Sequence, residues 1–400
     1  MQVEAALKKF DPLDPEVLRD PYPTYARLRD EGPLCRGGPG QWVVTRHREV
    51  SALLSDPRLG HAFPDAFYRF SVGDGPAASF FQHIVLDRDP PAHTRLRMLL
   101  RQGFAPARIA ALTGRVTAFV DKLMRAAIER GKFDLVADFA LPLPLMVIAD
   151  AIGLPETDHA LIRPRAADLA EAFGLGVPAA KRAAANEAVA WLRCYLNDLL
   201  AERRRAPRDD FVGYLASSDE AKHASPEEIL DNLVFLLFAG FETTMNLIAN
   251  GSAALLDSPG EMARIRADPG LAPMAVEEFL RYDASIQTAA RLVLEPVEIG
   301  GRKVRAGRVL VLLFGSANRD PLEFVGAERL DIGRRPNRHV SFGGGAHHCL
   351  GAALARLEGV IAFTHFVTRL SSLERAGEAI RRPIANFRSF ASLPVFARPA

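Results

Sequence analysis

Phe342-Gly343-Gly344-Gly345-Ala346-His347-His348-Cys349-Leu350-Gly351 is the stretch on which the reading of this 400-residue chain turns. It is a glycine-rich loop that delivers one cysteine just before a helical segment. The glycines let backbone amides approach the sulfur, and the N-terminus of the following helix adds partial positive charge, so the pattern favours a thiolate. A soft anionic ligand is presented. From the residues alone, three other readings of a lone cysteine stay open. A buried inert thiol has no use for the glycines; a nucleophile wants a positioned base, which His347 or His348 could be; zinc wants further cysteines or histidines at finger spacing.

Upstream, Ser225-Pro226-Glu227-Glu228 places a capping serine, a proline at the first helical position and a glutamate three residues after the cap. The helix it opens runs to about Leu256, roughly 30 residues or about 45 Å, and is apolar all round between Leu233 and Phe241, so it must cross the core. Into that stretch falls Ala239-Gly240-Phe241-Glu242-Thr243-Thr244. A mid-helix glycine costs about 1 kcal/mol relative to alanine, and a buried carboxylate and hydroxyls need compensation. A threonine bonded to the preceding turn's carbonyl and a glutamate paired with an arginine would supply it without any chemistry. Glu278-Phe279-Leu280-Arg281 sets an acid and a base three apart on one face of a short helix, and Glu277, four before Arg281, makes an equally good pair. Taken alone, this is a solvated ion pair.

The composition is that of a globular protein, 48% hydrophobic and 24% charged, which rules out disorder and fibrous repeats. Fifty basic against 48 acidic residues leave +2, too little for nucleic acid to be the main partner. Cys35, Cys194 and Cys349 form no CxxC pair, so neither a disulfide framework nor a zinc knuckle is indicated. The first 33 residues lack the apolar centre of a signal peptide, and the longest apolar runs, Leu233–Phe241 and Val309–Gly315, are too short for a membrane span. A cytoplasmic protein with no membrane partner is expected. Helical patterning covers Pro106–Gly131, Pro155–Gly174, Val177–Arg205, the segment from Ser225, Pro273–Asp283 and Ala352–Leu370. Strand-like alternation appears at Trp42–Thr45 and Leu292–Leu313, with a hairpin around Gly300-Gly301. The fold class is mostly α with a minor β-sheet, in one domain over 1–400.

The three motifs, in this order and spacing, closely resemble the cytochrome P450 superfamily of haem-thiolate monooxygenases, in particular its soluble bacterial branch. The likeness spans about residues 10–398 and includes Asp89-Pro90-Pro91-Ala92-His93-Thr94-Arg95-Leu96-Arg97, Ala317-Asn318-Arg319-Asp320-Pro321 and Arg335–Gly343. The resemblance implies the P450 fold, haem b (iron protoporphyrin IX) as cofactor and Cys349 as its axial metal ligand. It implies that Ala239 and Gly240 let the long helix lie close over the haem, and that Phe342 and Gly351 belong to the loop beneath it. His93, Arg97, Arg291 and His347 match the basic groups that hold the propionates, and the i,i+4 spacing of His93 and Arg97 agrees. Glu242 and Thr243 fall on the family's catalytic acid–alcohol pair, which delivers protons to bound dioxygen. Glu278 and Arg281 match its buried structural pair.

No Gly-rich nucleotide fingerprint opens a βαβ unit, so electrons are expected from a separate protein. Family likeness implies a ferredoxin-type donor with its reductase, docking where Arg334, Arg335 and Arg338 offer positive charge. The expected reaction inserts one oxygen atom from O2 into an apolar or polyketide-like small molecule of secondary metabolism. The alternatives are a peroxide-using or non-oxygenating haem-thiolate enzyme, which the retained Glu242-Thr243 pair argues against, and a non-catalytic haem-binding protein. The Phe-rich residues 62–81 are expected to line the pocket, within loops 60–85, 171–181 and 285–290.

Overall fold

The computed structural model describes residues 9–171, 173 and 178–400. Helices dominate, and the strands that bear on the site are β1 (Leu34–Arg36), β2 (Gln41–Val44), β3 (Leu59–Gly60), β4 (Lys132–Asp134), β5 (Thr288–Val293), β6 (Val297–Ile299), β7 (Arg302–Val304) and β8 (Val309–Leu313). Five of them form a sheet in the order β1-β2-β8-β5-β3, with β2 and β8 parallel and the other pairs antiparallel. β6 and β7 make the hairpin that the glycine pair predicts. Gly300 and Gly301 sit at φ 56° and 77°, the left-handed values that a tight two-residue turn demands at both central positions. β4 pairs with Pro394–Pro399, which pairs in turn with Leu370–Arg375.

The core helix runs Pro226–Leu256 and starts as its sequence dictates. Ser225 Oγ accepts from the Glu228 amide at 3.1 Å, and Glu228 Oε2 accepts from the Ser225 amide at 2.9 Å. By length and composition this helix could span a membrane, contrary to the expectation that no segment approaches that length. Its most apolar window is 83% buried inside the protein, so packing against other helices accounts for its composition. It crosses Pro142–Ile152, Ala179–Arg205, Ala272–Tyr282 and Ala352–Arg369. At Gly251 a Cβ would stand 2.6 Å from Phe363 and 2.7 Å from Phe279, so that crossing exists only because the position is glycine.

Two helical expectations are corrected. Pro106–Gly131 is broken into Pro106–Ala111 and Thr113–Arg130, where the Thr113 hydroxyl donates to the Ala110 carbonyl and interrupts the ladder. Pro155–Gly174 becomes a 3-10 turn at Glu156–Asp158 followed by His159–Glu171. Gly174 and Val177 lie outside the described residues, as does part of the 171–181 loop.

Candidate active site

Gly343 and Gly345 turn the loop before Cys349 with φ of 66° and 61°, values closed to most side chains. The Cys349 amide donates to the Phe342 carbonyl at 2.8 Å, and Ala352–Arg369 begins three residues on. Arg97, on the helix Ala92–Arg101, donates to the His348 carbonyl at 2.6 Å and so ties that helix to the loop. Arg356 lies 4.4 Å over the Phe342 ring while bonding both oxygens of Glu277 at 2.6 and 2.9 Å. Cys349 is deep in the protein, yet its side chain is open. Burial pushes its thiol up, against the Gly351 amide and the charges of Arg97 and Arg356, which pull it down. A metal ion coordinated by the sulfur would favour the thiolate.

Within the buried stretch of the core helix, Phe235, Ala239, Gly240 and Thr243 are half-open while every residue between them is buried. Their spacing puts them on one helical face. The Cβ direction of Gly240, however, points at Ile148, 2.5 Å from its Cγ1. The glycine is thus required where the core helix meets Pro142–Ile152, and only its backbone belongs to the open face. Thr243 Oγ1 donates to the Ala239 carbonyl at 3.0 Å, and the Thr243 carbonyl accepts from Ser285 Oγ at 2.8 Å. Glu242 turns away from that face, is 2% exposed, and accepts from Arg382 at 2.6 Å and from Asn246 at 3.5 Å. Both compensating bonds of the non-catalytic reading are therefore present. Arg382 carries no local sequence signal, because its contact spans 140 residues.

His93, Arg97, Arg291 and His347 come together, with one member that the sequence reading missed. The His347 ring stacks on His61 at 3.4 Å and on His93 at 3.9 Å. Burial, with Arg291, His347 and His93 nearby, pulls His61 down to about 2; burial, with His93, Arg291 and Arg97, pulls His347 down to about 3. Burial also lowers Arg291 to about 10. Among the described residues, Arg97 and Arg291 bond only carbonyls, those of His348 and Ala290. The nearby Asp89 carboxylate is taken by the amides of His61 and Ala62 at 2.8 and 3.1 Å, and burial pushes Asp87 up to about 8. His93 is buried with neither ring nitrogen hydrogen-bonded. A cluster holding two guanidiniums that bond no carboxylate, beside a buried histidine with both ring nitrogens unpaired, suits a bound dicarboxylate, and with the open cysteine it fits a haem carried on its propionates.

Glu278 and Arg281 are fully buried rather than solvated and meet at 2.8 Å through both oxygens. Arg281 also donates to the carbonyls of Asn318, Ala327 and Arg329, while Glu278 accepts from Arg334, Asn337 and the Asp331 amide. Arg334 is thus occupied here and is not free surface charge for a donor, whereas Arg335 and Arg338 remain exposed. Glu277 serves Arg356 and His339 instead of Arg281.

Comparison with known proteins identifies the family. The cytochrome P450 family profile matches residues 270–394. The chain is 37% identical to the cytochrome P450 monooxygenase PikC of Streptomyces venezuelae over 96% of this chain and 92% of that one. It is 34% identical to the biotin biosynthesis cytochrome P450 of Bacillus subtilis, over 95% and 97%. The crystal structure of CalO2 superposes with a TM-score of 0.93 at 34% identity, covering 98% of this chain and 99% of that one. P450BioI, solved with hexadec-9Z-enoic acid ligated acyl carrier protein, gives 0.89 at 33% identity, over 96% and 100%. A helix-rich fold with an open cysteine under a glycine loop defines a haem-thiolate enzyme. The chain belongs to the cytochrome P450 family and is a P450 monooxygenase.

Proposed function

We propose that residues 1–400 form one domain that binds haem b through Cys349 and oxygenates an apolar or polyketide-like small molecule of secondary metabolism in the cytoplasm. When bound, the haem supplies activation of dioxygen. Cys349 would hold the iron, while His93, Arg97, Arg291 and His347, joined by His61, would hold the propionates. Phe342 and Gly351 frame the sulfur, and Ala239 and the Gly240 backbone form the open face of the core helix. Thr243 presents its hydroxyl on that face, and Glu242, anchored by Arg382, resupplies protons from the buried side. Electrons would come from a ferredoxin-type protein with its reductase.

A run of packed aromatic rings that reaches the core helix at Phe238 supports an apolar substrate. Phe63 and Phe67 stack at 4.5 Å, Tyr68 and Phe81 at 5.7 Å, and Phe173 meets Phe81 at 4.8 Å and Phe238 at 3.8 Å. Relatives include a polyketide biosynthesis cytochrome P450 of Bacillus subtilis and the structure bound to an acyl carrier protein, which extends the substrate class to carrier-tethered chains.

The observation that carries the proposal is the open, deep Cys349 together with a positive cluster lacking carboxylate partners. Cys349→Ser replaces a soft ligand by a harder, far less acidic one. It is expected to remove the thiolate-specific absorption of the reduced carbonyl complex and to abolish oxygenation. Cys35→Ser and Cys194→Ser are expected to leave that spectrum intact; the reverse pattern would refute the ligand assignment.

A further inference from the structure

Away from the site, the segment Arg302-Lys303-Val304-Arg305-Ala306-Gly307-Arg308 packs four cations into seven residues. Three of them, Lys303, Arg305 and Arg308, join Arg36, Gly40 and Trp42 around a cavity of about 240 Å³. The lining thus carries four formal positive charges in a protein whose net charge is +2. None of the four forms an ion pair among the described residues, and none is left with an undescribed partner. The nearest carboxylate by strand register is Glu298, opposite Lys303 in the β6–β7 hairpin and outside the lining.

The backbone fixes where these charges stand. Arg36 faces Trp42 across β1–β2, and its guanidinium lies 4.0 Å over the indole centroid, which limits its freedom. β8 follows Arg308 directly and pairs with β2 from Gln41 to Val44, so Arg308 is delivered beside the β1–β2 turn. There, a Cβ on Gly40 would come within 3.5 Å of the Arg308 guanidinium. β1 is a sheet edge, and no described strand pairs with its outer side.

We propose that this edge cavity binds a small phosphate-bearing anion with two or more negative charges. Guanidinium groups present paired donors that match phosphate oxygens, and a preset guanidinium loses less freedom on binding. At about 240 Å³ the cavity falls below the usual range of roughly 300–1,000 Å³ for drug-sized ligands. It takes one or two phosphate groups, such as a diphosphate or a phosphomonoester head, rather than a whole nucleotide. The phosphate can be free or borne on a lipid, and the experiment separates the two.

Inorganic pyrophosphate is titrated into the haem-loaded protein by calorimetry at fixed ionic strength. Expected is one saturable site, weakened at least tenfold by Arg36→Gln, by Arg308→Gln and by Trp42→Leu, which frees Arg36. Arg205→Gln removes the same charge from the exposed end of Ala179–Arg205 and is expected to bind as the parent does. Equal weakening by Arg205→Gln, or displacement by sulfate at matched ionic strength as effective as by pyrophosphate, would reduce the cavity to a diffuse counterion atmosphere and overturn the proposal. In parallel, the protein is sedimented with phosphatidylcholine vesicles containing phosphatidate. Capture that pyrophosphate reverses and Arg308→Gln abolishes supports the site with a lipid source; pyrophosphate binding without capture supports it with a free one. Failure of both arms refutes it. Haem absorption is expected to be unchanged in every variant.

Discussion

Proton supply is decided by single side chains. Thr243→Ala removes the only hydroxyl on the open face of the core helix, and Glu242→Gln removes the acid behind it, while neither touches Cys349. Haem content and the substrate-induced spectral change are expected to survive in both. In Thr243→Ala, product per reductant consumed falls and hydrogen peroxide rises; in Glu242→Gln, turnover slows with a larger solvent isotope effect. Unchanged coupling in both would make the pair structural, as its bonds to Ala239 and Arg382 would also allow. Arg382 extends the test. Arg382→Gln removes a cation bonded to the buried Glu242 carboxylate, so turnover is expected to slow across the pH profile as it does in Glu242→Gln. Arg382→Lys keeps the charge and is expected to restore most of the profile. At the positive cluster, His93→Ala combined with Arg97→Ala is expected to weaken haem retention, each charge-assisted contact being worth roughly 1.5–3 kcal/mol, without altering the ligand spectrum. A double variant holding haem as tightly as the parent would remove them from the propionate site.

At the scale of elements, two contacts hold the site's frame. Gly240→Ala would drive a methyl into Ile148, and overpacking of this kind costs about 1–3 kcal/mol. Stability measured by urea unfolding is expected to fall, and Ile148→Ala in the same chain to recover part of the loss. If Gly240→Ala were neutral to folding and blocked haem uptake instead, the glycine would serve the cofactor and not the helix crossing. Glu278→Ala would leave Arg281 and Arg334 without their shared carboxylate, and breaking a buried pair costs about 3–5 kcal/mol. The expected result is loss of folded protein or of haem, since this network anchors the chain that leads into the cysteine loop. Spacing alone left Glu277 and Glu278 as equal partners for Arg281, and the family resemblance singled out Glu278. The sequence reading could not find Arg334 as a third member, because that contact spans 56 residues.

The molecule as a whole has an acid weakness written in its buried titratable groups. His61 and His347 are held far below the value of about 6.5 that they regain on unfolding, so the unfolded chain binds protons that the folded chain refuses. Their contribution is present above about pH 6.5 and is lost as pH falls below it. Glu277 is pulled to about 2 by His339 and Arg356 despite its burial, and Asp283 to about 2 by Arg381 and Arg388 despite its own. Their contribution persists to about pH 4 and is lost between there and pH 2. The haem-free protein is therefore expected to lose urea midpoint between pH 7.5 and 5.5. The haem-loaded protein loses less, because propionates facing His61, His93 and His347 would favour their charged forms. Equal losses in both would remove the propionates from this cluster.

By itself the sequence determined what short-range chemistry encodes. The capping box that starts the core helix, the Gly300-Gly301 hairpin, the left-handed glycines before Cys349 and the i,i+3 acid–base pair each lie within ten residues, where backbone geometry and helical periodicity act directly. The motif order carried the family with them. Tertiary structure alone decided which groups meet across the chain. It placed His61 on His347 and Arg382 on Glu242, turned Gly240 toward Ile148 and withdrew Arg334 from the surface. Those contacts span tens to hundreds of residues and depend on how helices cross and on how much water each group loses, and neither is written in any local pattern.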